Sequence, residues 1–299
     1  MKNILATSLF SSLLFTLIGC QSGKTGGEVN HEDSLKGITS EVLKTVNIAD
    51  VVIPEGNKPL ECRSMRLRLF TLTPGGEIGL HSHENRPAIL SAVKGVGMDV
   101  FAFSENETEA NTPVTLKYGE SYAKPGAIHY AINLSKTDTL NLITFDLLDN
   151  GSECNGVKYP QNTPVLERIK KENHPFYAKA PKSEEDEFSL PIFDVPVSTI
   201  TFKEGKAGLK NRMLRTRKIT LDGGASIPSQ NYENRPSYIF VMEGSVNVKN
   251  ENAAAETLQP FGTTKLINAG NVAIGNASAT EKSVYIIMEI WDPADKDII

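Results

Sequence analysis

Residues 60–88 read LECRSMRLRLFTLTPGGEIGLHSHENRPA, and residues 209–237 read LKNRMLRTRKITLDGGASIPSQNYENRPS. The two stretches align without a gap at an offset of 149 residues, and 12 of their 29 positions are identical. In the first stretch the identical positions are Leu60, Arg63, Arg66, Arg68, Thr71, Leu72, Gly75, Ile78, Glu84, Asn85, Arg86 and Pro87. Solenoid repeats are much shorter, roughly 20–50 residues, so this period predicts two copies of one domain.

Both copies consist mainly of short stretches rich in Val, Ile, Leu, Thr, Phe and Tyr, broken by Gly, Pro or Asn. Examples are residues 65–73, 89–93, 98–103 and 140–148, and then 219–221, 238–242 and 284–291. Many short strands with regular turn signals predict an all-β sandwich or barrel. Between the copies, residues 165–187 are charged and contain two prolines, which predicts a linker with a short helical part.

The composition limits the classes of partner that the protein can bind. The chain has 299 residues, 39% of them hydrophobic, which is enough to bury the cores of two domains. The formal net charge is −5 and the sequence pI is about 5.7. Nucleic-acid-binding domains carry a basic footprint, so we expect no nucleic-acid partner.

The N-terminus resembles an export signal. Residues 4–18 form a mainly apolar run after Lys2, and a membrane span needs about 20 residues. The run ends in LIGC at positions 17–20, which resembles the lipobox of bacterial lipoproteins. The resemblance implies cleavage before Cys20, lipidation of that cysteine and export to the cell envelope. In a Gram-negative cell, Gln21 implies the periplasmic side of the outer membrane. The alternative is an ordinary secretory signal with an incidental cysteine.

These signals divide the chain. We expect a signal peptide at residues 1–19, a flexible tether at 20–45, a first barrel at 46–155, a linker at 156–190 and a second barrel at 191–299. The membrane would be contacted only through the N-terminal lipid.

Two cysteines remain after the lipidated one. Export would place Cys62 and Cys154 in an oxidising compartment, where such a pair can form a disulfide. Two separate buried thiols are the alternative.

Three of the five histidines lie at informative spacings. The spaced residues are Gly75, His81, His83 and Gly95, followed by Gly119, Pro125, Gly126, His129 and Asn133. They resemble the two motifs of the cupin superfamily, G-x5-H-x-H-x3,4-E-x6-G and G-x5-P-x-G-x2-H-x3-N, except that Gly126 directly follows Pro125. With the repeat, the chain resembles a bicupin over nearly all of its mature length. This implies two tandem antiparallel β-barrels of jelly-roll type joined by a short, partly helical linker. Cupins often pair, so the resemblance also implies a homodimer.

The histidine spacing predicts a metal site in the first barrel. Side chains alternate along a strand, so His81 and His83 lie on one face, and His129 from a distant strand can join them. Three imidazoles can hold one divalent ion and leave positions open for a ligand. Ala88 stands where the motif has its glutamate, and Glu84 should point to the opposite face. The resemblance implies a three-His site such as those of iron-dependent dioxygenases, with Fe, Mn, Zn and Ni all open as the metal.

The second copy lacks these ligands. Gln230 and Tyr232 replace the first two histidines. Aligning the last strands at an offset of 144 puts Ala273 opposite His129. We therefore expect no metal in the second barrel. The Glu-Asn-Arg-Pro turn occurs in both copies, so we interpret it, including Arg86, as structural.

Arginines recur on one strand of each copy. Arg66 and Arg68 alternate onto one face, as do their counterparts in the second copy, Arg215 and Arg217. In the second copy, Thr216 and other polar residues occupy the opposite face and look solvated, so the arginines should face inward.

Inward arginines need partners, because an unpaired buried charge is too costly. One alternative is pairing within the protein, with Asp146 and Glu289 as the candidate acids. The other is that Arg66 and Arg68 bind an acidic ligand: a carboxylate, a sugar acid or a phosphate.

The residues leave two functions open. The first is a metal-dependent enzyme of dioxygenase or isomerase/lyase type, acting on a small, acidic molecule. The second is a non-catalytic binding or sensing lipoprotein of the envelope with a degenerate metal site. The three histidines favour the first, and the missing fourth ligand favours the second.

Overall fold

The structure, a computed structural model, describes residues 36–48, 60–104, 113–148, 164–182, 187–197, 209, 211–233, 235–262, 264–268 and 270–295. The predicted signal peptide, most of the predicted tether, Cys20 and Cys154 lie outside these residues. Within the described ranges, no helix is long and apolar enough to cross a membrane.

Short strands dominate the described chain, as the Val-, Ile- and Thr-rich stretches predict. The strands before the linker are β1 Ile38–Asn47, β2 Ser64–Leu72, β3 Glu77–Ser82, β4 Ala88–Lys94, β5 Gly97–Phe103, β6 Val114–Lys117, β7 Ser121–Tyr122, β8 Ile128–Asn133 and β9 Leu140–Leu148. A 3-10 helix, Leu60–Cys62, precedes β2. The linker carries α1 Pro164–Lys171 and α2 Pro175–Lys179. The later strands are β10 Glu187–Pro196, β11 Met213–Leu221, β12 Ser226–Asn231, β13 Ser237–Glu243, β14 Val246–Asn250, β15 Glu256–Leu258, β16 Lys265–Ile267, β17 Asn271–Asn276 and β18 Ser283–Trp291.

Two sheets build each barrel. The first barrel has the orders β10-β2-β9-β4-β7 and β3-β8-β5-β6, and the second has β1-β11-β18-β13-β16 and β12-β17-β14-β15. The strand pairs are antiparallel. The predicted all-β fold with two tandem antiparallel barrels and a short, partly helical linker is confirmed.

The two barrels exchange their first strands. β1 pairs with β11 of the second barrel, and β10 pairs with β2 of the first. β1 and β10 are 149 residues apart, the repeat offset, so each copy contributes its first strand to the other barrel. The expected tether therefore ends too late, since residues 38–45 already belong to a strand, and the expected boundary at 190 cuts through β10. The sequence pattern predicts where the strands lie but not the barrel to which each strand belongs.

Alternation along β2 separates two cores. Phe70 and Leu72 pack inside the first barrel, whereas Met65 and Leu67 pack in a core shared with the second barrel. Tyr238 of the second barrel donates its hydroxyl to the Met65 carbonyl at 2.9 Å. The outer faces of these strands are therefore buried between the barrels. This explains why Thr216, expected to be solvated, is fully buried.

The linker helices cover the outside of the first barrel. Val165, Ile169 and Phe176 pack against residues such as Phe103 and Tyr130 of the β3-β8-β5-β6 sheet. Pro175 lies at the start of α2, where its missing N–H and fixed φ are tolerated. The linker thus contains a second short helix in addition to the helical part that the sequence predicts.

Candidate metal centre

Strands β3 and β8 bring three imidazoles together. His81 and His129 are register partners across these strands, and His83 follows β3 directly. The Nε2 of His81 lies 2.7 Å from that of His129 and 3.1 Å from that of His83. All three ligand atoms lie within 4.8 Å of one another. Nitrogen ligands about 2.1 Å from one ion and at right angles are about 3 Å apart, so this donor set fits a single metal.

The imidazoles are prepared for ligation. The Nδ1–H of His81 donates to the Gly79 carbonyl at 2.9 Å, which directs the Nε2 lone pair to the other histidines. Burial, followed by the charge of Arg86, lowers the pKa of His81 to about 4. Burial also places the pKa values of His83 and His129 well below the ordinary value. Neutral imidazoles at pH 7 bind a metal without first losing a proton.

A cavity of about 120 Å³ adjoins the histidines. Four cations line it: Arg66, Arg68, Arg86 and Lys124. Its apolar wall includes Phe70, Ile78, Ile89, Leu90 and Ala131. Among the described residues that line the cavity, none is a carboxylate. The cavity is therefore small and strongly cationic.

The nearest acid is paired rather than open to the cavity. Asp146 is fully buried and accepts two hydrogen bonds from Arg66, Nε to Oδ1 at 2.9 Å and Nη2 to Oδ2 at 2.6 Å. Burial alone would raise the pKa of Asp146, but Arg66 and then Arg86 hold it below its ordinary value. Arg66 is therefore paired with an acid of the protein, which is one of the two alternatives given above. Its predicted contact with a ligand stays a prediction.

Arg68 is placed differently. Its guanidinium carbon lies 4.4 Å from the centroid of the Phe70 ring, and the side chain lines the cavity. Its predicted contact with an acidic ligand is compatible with this position and stays a prediction.

Glu84 points away from the histidines, as alternation predicts. Its carboxylate accepts hydrogen bonds from the backbone N–H groups of Val165 at 3.1 Å and Leu166 at 3.4 Å in the first turn of α1. It therefore cannot complete the ligand set. Ala88, at the position of the motif's glutamate, lines the cavity.

Comparison with known proteins agrees with this architecture. A family model described as "Cupin" matches residues 48–168, the part of the chain that carries the three histidines. This part of the chain belongs to the cupin superfamily. Because the second barrel has the same strand order as the first, the chain has a bicupin architecture.

Solved structures of other proteins resemble this chain at low sequence identity. The chain resembles a vicilin from Solanum melongena with a TM-score of 0.50 and 12% identity, over 78% of this chain and 76% of that one. Oxalate decarboxylase from Lactobacillus farciminis, solved as a formate complex, has a TM-score of 0.49 and 12% identity over 83% and 86%. A vicilin from Corylus avellana has a TM-score of 0.45 and 15% identity over 76% of each chain. No curated protein matches the sequence.

The second barrel of this bicupin differs at each ligand position. Gln230 pairs with Val272, as His81 pairs with His129 in the first barrel. The expectation that Ala273 stands opposite His129 is therefore wrong by one residue. Between these two strands the second copy is shorter than the first by one residue more than the sequence alignment at an offset of 144 indicated.

Two asparagines with the same hydrogen bonds support the corrected alignment of the late strands. Asn276 donates to the carbonyls of Leu221, Asp222 and Glu281. Asn133, 143 residues earlier, makes the equivalent three bonds. Their shared pattern aligns the late strands at an offset of 143.

The arginines of the second barrel meet one carboxylate. Glu289 is fully buried and accepts from Nε of Arg215 at 2.8 Å, of Arg217 at 2.9 Å and of Arg235 at 2.5 Å. Tyr232 and Val272 belong to the apolar core of this barrel. The positions equivalent to the metal ligands are thus filled by packed side chains.

Sequence reasoning missed three residues of the cavity: Arg86, Tyr122 and Lys124. Arg86 was assigned to a structural turn because the turn recurs in the second copy. The Tyr122 ring lies 6.3 Å from that of His129. Tyr130 stacks on Phe101 outside the cavity, so its adjacency to His129 gives it no place there.

Cys62 is buried and disulfide-bonded. Its predicted partner Cys154, and the predicted lipidation site Cys20, lie outside the described residues.

Proposed function

We propose that His81, His83 and His129 hold one divalent metal ion, and that the bicupin acts as a metal-dependent enzyme on a small anionic molecule in the adjoining cavity. The observation that carries this proposal is the convergence of three neutral imidazole nitrogens on a cavity lined by four cations.

The ligand set limits the chemistry. Three neutral nitrogen ligands suit Fe, Mn, Zn or Ni and leave coordination positions for a ligand. A bound ion supplies Lewis acidity or, if it is iron, dioxygen activation. The reaction would be of dioxygenase or isomerase/lyase type. The protein's own part is to fix the imidazoles and to hold the anion, with Arg68 as one of the cations that contact it.

Charge supports an anionic ligand. Four cations line the cavity, and Asp146, the acid that contacts two of them, is already bound by Arg66. An anion would offset the remaining charge. The vicilin from Solanum melongena holds different anionic ligands in structurally similar pockets. That likeness extends to the fold alone, so the lining charges carry the argument for this chain.

Metal content tests the proposal. The chain is purified without chelator or nickel affinity resin, beside a His81→Ala, His83→Ala double variant, and both are analysed for elements. We expect a near-stoichiometric transition metal in the wild type and a loss of most of it in the variant. Equal, near-zero metal in both proteins would contradict the proposal.

A second function is favoured by one observation. Within the described lining of the cavity there is no carboxylate to serve as a general base, which suits a non-catalytic binding or sensing protein. The two candidates separate if metal-free protein binds small anions as tightly as metal-loaded protein does. In that case the binding function stands and the enzyme function falls.

We further propose that the protein is an exported lipoprotein of the cell envelope. The apolar run before LIGC at positions 17–20 supports lipidation of Cys20, and the disulfide of Cys62 then leaves Cys154 as its partner. Intact-mass analysis of membrane-extracted protein tests both points. A Cys20→Ser variant should lose the lipid mass, and non-reduced peptide maps should contain the Cys62–Cys154 pair. Sedimentation of the same protein tests the homodimer that the cupin resemblance implies.

A further inference from the structure

Arg86 has too few partners for its surroundings. The residue is 8% exposed, and its Nε makes no hydrogen bond to any described group. Its contacts are long: Nε lies 3.5 Å from Oδ2 of Asp146, and Nη2 lies 3.3 Å from Nε2 of His83. A guanidinium has five N–H donors, and buried donors are normally satisfied.

The contact with His83 involves the atom that the proposed metal needs. A guanidinium only donates, so Nη2–H points at the Nε2 lone pair of His83. One lone pair cannot accept this hydrogen bond and coordinate an ion. The cation and a metal ion therefore compete for the same nitrogen.

The equivalent arginine of the second barrel shows what is unusual. Arg235 donates from Nε to Glu289 at 2.5 Å, so its donors are directed to an acid. Asp146, shorter by one methylene, is held by Arg66 at 2.6 Å and 2.9 Å and leaves Arg86 at 3.5 Å. Arg86 is thus directed toward the cavity, where Ala88 offers no side chain that could accept its donors.

We propose that Arg86 is the anion anchor of the metal site: its guanidinium competes with a metal ion for Nε2 of His83, and it binds a carboxylate of the ligand once the ion holds that nitrogen. This inference rests on the proposed metal function. It makes binding ordered, with the metal first and the carboxylate second. A planar carboxylate matches the paired donors of a guanidinium, and it can share its second oxygen with the metal.

The proposal predicts opposite effects from one substitution. Arg86→Gln removes the competitor for His83, so we expect Co²⁺ to bind about threefold to tenfold more tightly. The same change removes the anchor, so acetate should bind the Co²⁺-loaded protein at least about tenfold more weakly. Arg235→Gln, the matched control in the second barrel, should change neither affinity.

The experiment is a titration of the full chain with Co²⁺, followed by acetate, monitored by calorimetry and by the Co²⁺ absorption bands. Wild-type protein should bind acetate at least about tenfold more tightly with Co²⁺ than without it. A wild type that binds no Co²⁺ would overturn the proposed function itself. A wild type that binds Co²⁺, with an Arg86→Gln variant that binds it equally or less tightly, would overturn the role of Arg86 alone. An acetate affinity that Arg86→Gln leaves unchanged would also overturn the role of Arg86.

Should Arg86→Gln fail to fold, Arg86→Lys carries the same test. A lysine keeps the charge but lacks the planar pair of donors, so acetate affinity of the Co²⁺-loaded protein should still fall. An acetate affinity equal to that of the wild type would again contradict the proposal.

Discussion

The two barrels have the same strand order and the same three arginines, yet they use them differently. In the second barrel Arg215, Arg217 and Arg235 all donate to Glu289, and apolar side chains fill the interior. In the first barrel the acid is the shorter Asp146, which holds Arg66 closely and Arg86 only at 3.5 Å. Glu289 is longer than Asp146 by one methylene. Glu289 pairs with all three arginines of its barrel, whereas Asp146 leaves Arg86 in the cationic cavity. The comparison shows that an arginine's role here depends on the reach of its acid.

The largest expected effect is the loss of the closed cluster. Glu289→Ala would leave three buried arginines without their carboxylate, and breaking a buried pair by removing one partner costs about 3–5 kcal/mol. We expect a loss of this size in the free energy of unfolding, measured by chemical denaturation at pH 7. Asp292→Ala is the control, because its contact with Arg212 spans 3.8 Å and the acid is partly exposed. It should cost less than about 1 kcal/mol. Equal effects of the two substitutions would contradict the cluster's role.

A second test separates Arg66, which is paired with Asp146, from Arg68, which lines the cavity. Arg66→Ala should lower the free energy of unfolding by about 3 kcal/mol, because Asp146 loses its closest partner. Arg68→Ala should instead mainly weaken acetate binding to the metal-loaded protein, by about tenfold. Denaturation and acetate titration of both variants measure this. If Arg66→Ala is stable and only Arg68→Ala is destabilised, the assignment is reversed.

The outer face of the metal strand provides a smaller effect. Glu84, which follows His83 directly, holds the start of α1 near the end of the strand that carries His81. Removing groups that orient metal ligands lowers metal affinity by 10–100-fold in known sites, so Glu84→Gln, a mild change, should lower Co²⁺ affinity by about tenfold.

The matched control for this prediction lies in the second barrel. Glu233 occupies the same repeat position but is exposed, and Gln230 and Tyr232 stand beside it in place of the two histidines, so Glu233→Gln should leave Co²⁺ affinity unchanged. Equal Co²⁺ affinities for the two variants would show that α1 does not position the ligands.

The smallest effect is a dependence on pH. Burial alone would raise the pKa of Glu289, but Arg217, Arg235 and Arg215 hold it below its ordinary value of 4.5. A carboxyl with a lowered folded-state pKa stabilises the fold above its unfolded pKa, and this stability is lost as the pH falls through the folded pKa. Below about pH 4.5 the wild type should therefore lose stability more steeply than Glu289→Gln, by up to about 1.4 kcal/mol per pH unit. Parallel curves for the two proteins would show that Glu289 does not titrate as a paired acid.

Much of this architecture could be predicted from the sequence because the repeat is direct. The stretch that contains Arg66, the paired histidines and the Glu-Asn-Arg-Pro turn aligns without a gap, so it indicates the duplicated barrel. The alternation of His81 and His83, and the opposite direction of Glu84, follow from strand geometry alone.

Other features depend on contacts between distant residues. The exchange of β1 and β10 is invisible in the sequence because either copy offers an equivalent partner strand. Val272 is equivalent to His129 because the loop before it is shorter in the second copy. The sequence alignment placed this equivalence one residue away, at Ala273. The difference between Arg86 and Arg235 depends on the length of the acid opposite, on a strand 60 or 54 residues later. A recurring motif therefore concealed two different environments.

The most direct test converts the first barrel's ligand set into that of the second. The triple variant His81→Gln, His83→Tyr, His129→Val carries side chains that the second barrel already accommodates in the same strand register. Elemental analysis is made of wild type and variant, both purified without chelator, with thermal unfolding to show that each is folded. The account predicts about one transition-metal ion per wild-type chain and none in the folded variant. A folded variant that retains the wild-type metal content would contradict it.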